Sequence, residues 1–574
     1  MDGKNEARAV RRGPAFQCQA HVAAVRDGTL RAGDQGSAAG RRSSDRLNGA
    51  RQTRREQLTS IRAPKPVRAR ARARPKVGPV AAPRPPAPAA ERIGVVHLTA
   101  EYWPFARTGG LGEAVSGLAS FQAAAGMPTT VVLPLYRQVR ETAPTLERAG
   151  PPFTVALGGR TETAWLYRVQ DGGGGGPQVF FIEHPDFFDR AGIYGDDAGD
   201  YPDNALRFAF FCAAALTVLP QIAPEAQVLH AHDWHTGLAP VYLRTVFAGE
   251  PLHRRLGTVL SVHNAGFQGH FPPETMAALG LPGELYNPQV FEWYGRMNIL
   301  KGGLTFSDLA VTVSPTHARE LLTPEGGFGL QEKFTELGDR VVGILNGIDP
   351  RLWNPATDPH ITATYSIDEL AGKRRCKAAL QRAYGLPQRA HTPLFGMSAR
   401  LVSQKGLDLV LGADLLGKTD AQFIFLGAGE HRYHAALTEL AAAAPDRVAV
   451  EFAFTDHLEH GLLAGADLLL MPSLYEPCGL TQMRAQRYGT IPVARRVGGL
   501  LDSIVDGETG VLFAEYTSAA LEQAVTRALD CYRDRTAWRK IMHQVMALAF
   551  GWEGSGSRYL DVYRRALATR STAG

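Results

Sequence analysis

The stretch DLLLMPSLYEPCGLTQMRAQRYGTIPVARRVGGL, Asp467 to Leu500, decides how the rest of the chain is read. Leu468 to Met471 is a short apolar run without alternation, the pattern of a strand covered on both faces of a parallel sheet. The run stops at Pro472, and the loop after it holds one acid, Glu476. Gly479 then turns the chain into a helical pattern, followed by a second buried strand, Ile491 to Ala494, and the pair Gly498-Gly499. Ligands of an α/β sheet bind beyond the carboxyl ends of its strands, so both loops belong to one crevice. A carboxylate there accepts from sugar hydroxyls, and a glycine pair opening a helix offers backbone N–H groups to phosphate. The stretch predicts a nucleotide-sugar site.

Working outward, 574 residues exceed what one core supports and predict at least two domains. No apolar run approaches the roughly 20 residues that span a bilayer. The five cysteines, Cys18, Cys212, Cys376, Cys478 and Cys531, lack CxxC spacing, which argues against a disulfide framework or zinc site and suits a reducing compartment. The net charge of +6 is unevenly placed, because residues 1–90 carry +14 and the rest −8. The basic excess therefore gives no reason to expect nucleic acid at the folded body. The segment 1–91, with an Arg-Ala alternation at 68–74 and a Pro/Ala run at 79–90, cannot bury enough surface to offset its ordering entropy, so disorder is expected. An RNA- or membrane-binding arm is one reading of it, and a plastid transit peptide fits less well because Asp2 and Glu6 open the chain. We read it as a solvated extension of a cytoplasmic protein.

At Ile93 the pattern changes to strand, loop and helix: IGVVHLTA, EYWPFARTGGLG, EAVSGLASFQAAAG. Gly109, Gly110 and Gly112 stand where a backbone approaches a ligand or turns sharply into a helix. Strands are expected at 153–157, 163–168 and 178–182, with the glycine run 172–176 as a surface loop, and 186–204 is long enough to be a functional loop. VLHAHDWHTG, 228–237, sets Asp233 just past a buried strand, and TVLSVHNAGFQG, 258–269, sets His263 and Asn264 past another. Three histidines within six residues raise a metal site, but His230 and His232 sit on a strand and give no helical i, i+4 ligand pair, so none is expected. Asn346 and Asp349, in VGILNGIDPRLWNP, suit turn chemistry as well as a cleft lining.

A second sheet opens with the strand Leu394 to Ala399, and Arg400 and Lys405 bracket its strand-to-helix turn, where a diphosphate would sit. Strand and helix then alternate through 422–427, 430–443, 448–454 and 456–465 to the opening stretch, and two amphipathic helices follow at 517–533 and 535–549. Cys478 has no adjacent base and reads as a packing thiol.

EPCGLTQ at 476–482, VGGL at 497–500, SARLVSQKGLDL at 398–409 and the RTGGL loop at 107–111 closely resemble the bacterial glycogen synthase and plant starch synthase family, in the family's order. The resemblance runs from about Arg92 nearly to the end. It implies a GT-B architecture, two doubly wound Rossmann-like domains facing across a cleft: 92–345 on the acceptor side, 346–549 as hinge and nucleotide-sugar domain, and 550–574 crossing back to the first. It implies a retaining transfer of glucose from ADP-glucose to the non-reducing end of an α-1,4-glucan, with no cofactor and no metal. The family's chemistry maps onto His263, Glu476, Arg400, Lys405 and Asp233. Its donor contacts map onto Arg107, Gly109, Gly110, Tyr194, Asn264, Asn346, Cys478, Gly479, Leu480, Thr481, Gly498 and Gly499. Two positions depart from the pattern: Arg107 replaces the family's lysine, and Val497 its common threonine. A sucrose/trehalose-type transferase would share the fold with less of this motif context, while UDP-glucose dependence stays an alternative because the sequence alone does not set the nucleotide base. A phosphorylase would need a pyridoxal-phosphate lysine that cannot be assigned, and a non-catalytic glucan-binding protein would be expected to lose the cleft charges. Nothing in the sequence sets the oligomeric state.

Overall fold

The computed structural model describes residues 92–573 except 144, 170–174 and 197. The expectation for 1–91 and most of the glycine run at 172–176 lie outside the described residues. Seven parallel strands form the core of the first sheet: Val95–Leu98, Thr129–Pro134, Gln178–Glu183, Val228–His232, Gly257–Val262, Leu309–Thr312 and Val341–Gly343. Numbered in that order they lie 3-2-1-4-5-6-7 across the sheet. Antiparallel strands Arg160–Val169, Phe153–Leu157 and Leu146–Arg148 extend the edge beyond Gln178–Glu183. The second sheet is wholly parallel, with Leu394–Ser398, Gln422–Leu426, Val448–Glu451, Leu468–Met471, Ile491–Arg495 and Val511–Phe513 in the order 3-2-1-4-5-6.

Both sheets are thus doubly wound, and the order reverses between the first and fourth strands of each, opening a crevice there. The apolar runs sit where two covered faces require them: Val95–Leu98 and Leu468–Leu470 are buried throughout. The strand expected over 448–454 stops at Glu451, since Ala453 and Phe454 are exposed and have no face to bury.

The helix Asn204–Ile222 is long and apolar enough to cross a membrane by length and composition, yet it packs in the first core with Arg207 fully buried inside it. The last helix, Trp552–Ala573, returns to the first sheet and buries Trp552, Tyr559, Val562, Tyr563 and Ala566 against Ile93, Val228, Val259 and Ile344. This helix therefore brings the chain back onto the domain that begins at residue 92.

Candidate active site

Four loops meet at the two reversal points. Those of the first sheet follow Leu98 and His232, and those of the second follow Ser398 and Met471. They face each other, joined by the loop after Val262: a Cβ added to Gly110 would lie 3.7 Å from Leu480 Cδ1, and one added to Gly266 would lie 3.0 Å from the Tyr475 hydroxyl.

In the second domain Lys405 Nζ lies 2.6 Å from Glu476 Oε2, and Ser473 Oγ donates to the same oxygen at 3.0 Å. Glu476 is buried, so the ion pair joins the first and fourth strand ends beneath the cleft. Gly406 makes this possible. Its φ of +73° and the Pro472 carbonyl, 2.0 Å from where a Cβ would stand, leave room for glycine alone. Arg400 is exposed on the same turn and makes no ion pair among the described residues. The helix Thr481–Arg487 starts beside them, and the N–H groups of Leu480 and Thr481 form no hydrogen bond among the described residues. These are the unsatisfied first-turn donors that suit an anion. Burial pushes the Cys478 thiol up to about 12, and the Asn346 N–H reaches its sulfur, so this cysteine is an inert packing group.

In the first domain Asp233 holds the strained φ of +57°, and its carboxylate accepts the His263 N–H at 2.7 Å and that of Asn264 at 3.4 Å. Asp233 is thereby a support for the His263 loop, and burial raises its carboxyl pKa to about 7. The Asn264 side chain accepts from the Gly266 N–H at 2.9 Å, closing the loop beyond it. Burial alone depresses His263 to about 3, so its imidazole is neutral. Three described non-glycine residues take positive φ, Asp233, Tyr294 and Phe328. The Phe328 ring packs 5.0 Å from that of Tyr475 on the second domain, so two of these three strained positions border the cleft.

Some expected site residues are placed differently from the sequence reading. Arg107, expected at the donor's diphosphate, is engaged by protein carboxylates: its guanidinium donates to Glu113 at 2.7 Å and to Asp456 of the second domain. Glu113 also receives Arg484, which contacts Glu459 at 3.1 Å, so the arginine fork closes a charge network across the cleft. Gly498 and Gly499 do not present free N–H groups. Gly498 donates to Glu320 at 2.9 Å and Gly499 to the Glu476 carbonyl at 3.1 Å. The pair is glycine for close backbone approach, because Cβ atoms there would stand 2.0 Å from the Glu476 oxygen and 2.1 Å from that of Cys478. The Gly109 N–H is likewise engaged, by the Glu101 carboxylate at 3.2 Å.

Glu101 was missed in the sequence. Buried, it accepts from Thr108 N–H and Oγ1 at 2.8 Å each and from Tyr194 OH at 2.7 Å, fixing the glycine loop and the tyrosine together. Its only signal was an acid directly after a buried strand. His97, His230 and His232 lie close enough to suggest a metal. Every one of their ring nitrogens, however, already meets a protein group: Gln122, Tyr563, Ser261, His263 or another of the three. That donor set leaves no lone pair for an ion. A cavity of about 270 Å³ by the hinge, lined by Trp103, Glu113, Asp349, Leu480 and Trp552, lies beside this site and does not include Glu476 or His263.

Comparison with known proteins matches this arrangement. Residues 94–336 match the family model for the starch synthase catalytic domain, and 386–544 that for glycosyl transferases group 1. A glycogen synthase of Anaeromyxobacter dehalogenans is 43% identical over 477 residues, 82% of this chain and 99% of the relative. One from Syntrophotalea carbinolica is 40% identical, with 83% and 99% covered. The catalytic domain of starch synthase IV from Arabidopsis thaliana, bound to ADP and acarbose, superposes with a TM-score of 0.76 at 32% identity, covering 83% of this chain and 99% of that one. With two doubly wound domains, the motif loops at their reversal points and relatives of this identity along the whole described body, the chain belongs to the glycogen synthase and starch synthase family of GT-B glycosyltransferases.

Proposed function

We propose that this glycogen synthase uses ADP-glucose, adding its glucose to the non-reducing end of an α-1,4-glucan with retention of configuration, in the cytoplasm. The observation that carries the reading is the ion pair between half-buried Lys405 and buried Glu476 beside exposed Arg400, in the domain whose Leu480 and Tyr475 meet the loops at Gly110 and Gly266 of the first. Arg400 and Lys405 neutralise the departing diphosphate, and the Leu480 and Thr481 N–H groups take the place first given to Gly498 and Gly499. Glu476 and His263 hold the transferred glucose for attack by the acceptor hydroxyl on the face the diphosphate leaves. Asp233 acts through the backbone of His263. With two cations at the leaving group, the reaction is read as needing neither metal nor organic cofactor.

The preference for ADP-glucose rests on the likeness to bacterial and plant relatives. Arg107 bears on it little, because its fork is held by Glu113 and Asp456. Radiolabel transfer to glycogen from ADP-glucose and UDP-glucose, side by side and with and without EDTA, tests the proposal. Higher kcat/KM with ADP-glucose, insensitive to chelator, is expected. Preference for UDP-glucose would overturn the donor assignment, and loss of activity in EDTA the metal-free reading.

A further inference from the structure

A line of buried polar side chains runs from the last helix to His263. Gln122 Nε2 donates to the Tyr563 hydroxyl at 2.8 Å, and its Oε1 lies 2.7 Å from His97 Nε2. His97 Nδ1 lies 3.0 Å from His232 Nε2, and His232 Nδ1 lies 3.0 Å from His263 Nε2. All the members before His263 are at most 2% exposed, so water does not interrupt the line. Burial also keeps the imidazoles neutral: His97 is depressed to about 4, and His232 lies well below its usual range.

In a neutral imidazole one nitrogen donates and the other accepts, so one fixed end sets every member. The Gln122 amide, set with Nε2 on Tyr563 and Oε1 toward His97, puts a proton on His97 Nε2. His97 Nδ1 is then an acceptor, and His232 Nε2 must carry the proton between them. His232 Nδ1 accepts in turn, so the proton shared with His263 sits on His263 Nε2. The remaining nitrogen, His263 Nδ1, is left with its lone pair and has no partner among the described residues. The Tyr563 hydroxyl, having accepted from Gln122, donates to His230 Nδ1 at 2.9 Å, and His230 Nε2 donates to Ser261 Oγ at 2.7 Å. Both branches are satisfied by this one assignment.

We propose that Gln122, His97 and His232 are positioning residues that fix His263 as the Nε2-protonated tautomer, so that Nδ1 accepts a hydroxyl of the bound glucose. With its main-chain N–H on Asp233 and its ring Nε2 on His232, the residue is held at two points. The anchor is Tyr563, which makes the return of the last helix to the first sheet part of the site's preparation. This rests on the functional reading above for the identity of the sugar, but the tautomer stands apart from it.

The test uses the full chain labelled with ¹⁵N-histidine, with the His263 signals assigned by their loss in His263→Gln. Long-range ¹H–¹⁵N spectra distinguish a protonated from a bare ring nitrogen. The expected result is protonated Nε2 and bare Nδ1 in the wild type. Gln122→Met, similar in length and without a hydrogen-bonding amide, should leave His263 divided between tautomers and lower kcat roughly tenfold, the rate equivalent of one hydrogen bond. KM for the nucleotide sugar should stay within about twofold, since no member of the line is among the residues assigned to the diphosphate. A bare Nε2 in the wild type overturns the proposal, as does Gln122→Met with unchanged tautomer and kcat. Should that variant not fold, Tyr563→Phe removes only the hydroxyl and should show the same redistribution, and a wild-type spectrum and rate would overturn the proposal. A wild type that transfers no glucose refutes the functional reading, while its spectrum still decides the tautomer.

Discussion

Arg400 and Lys405 stand five positions apart on one turn, but the structure predicts different consequences for losing each. Lys405 is 19% exposed and Glu476 8%, with 2.6 Å between the charged atoms. Lys405→Ala leaves the Glu476 carboxylate buried with the Ser473 hydroxyl as its remaining side-chain donor. Stranding one member of a charged hydrogen bond costs about 2–3 kcal/mol. At roughly 2–4 °C per kcal/mol for a domain of this size, the apparent Tm should fall by about 4–12 °C. Arg400→Ala removes an exposed side chain without an ion-pair partner among the described residues and should change stability by less than about 0.5 kcal/mol. Both variants should lose on the order of 10²-fold in kcat, the usual cost of one donor to a developing anion. The double variant Lys405→Ala/Glu476→Gln removes the uncompensated charge, so it should regain much of the lost Tm while staying inactive. Scanning fluorimetry and radiolabel kinetics on the four proteins separate these outcomes. A Lys405→Ala protein that melts with the wild type would refute the buried pair, and an Arg400→Ala protein keeping more than a tenth of kcat/KM would refute the leaving-group role.

Arg107→Lys should keep one of its two carboxylate partners at a time, weakening the cross-cleft network while changing kcat/KM by less than about tenfold with either donor; a wild type that gains activity only when lysine is restored would overturn this. Acid should unfold the first domain early. His97 and His263, depressed by burial to about 4 and about 3, favour folding fully above the unfolded histidine value and lose that contribution as pH falls toward those values. For His97 this is on the order of 3 kcal/mol. Asp233, raised to about 7, acts oppositely, its contribution present at low pH and lost as pH rises through 7. The buried histidines outnumber it, so Tm should fall between pH 6.5 and 4, and a level Tm across that window in pH-stepped melting would contradict the assignment.

The sequence alone determined the two doubly wound sheets and the loops that meet between them. Those signals are local: an unbroken apolar run means a strand with both faces covered, and the glycines and polar residues after it mark the strand's carboxyl end. Glu476, Lys405, Arg400, Asp233 and His263 all lie in loops that follow such strands, and the family resemblance singled them out there. Which of them touch, and what the loop glycines are for, was decided by tertiary structure. Arg107 meets Asp456 across 349 positions of chain, and Gly498 meets Glu320 across 178. No spacing rule links such pairs, because partner choice depends on how two separately folded sheets are brought face to face. The same limit hid Glu101, whose importance lies in four groups gathered from the loops at 108–109 and 194, and the line from Tyr563 to His263, whose members come from five separate elements. A buried hydrogen bond is fixed by the packing that excludes water around it, and that packing exists only once the whole chain has folded.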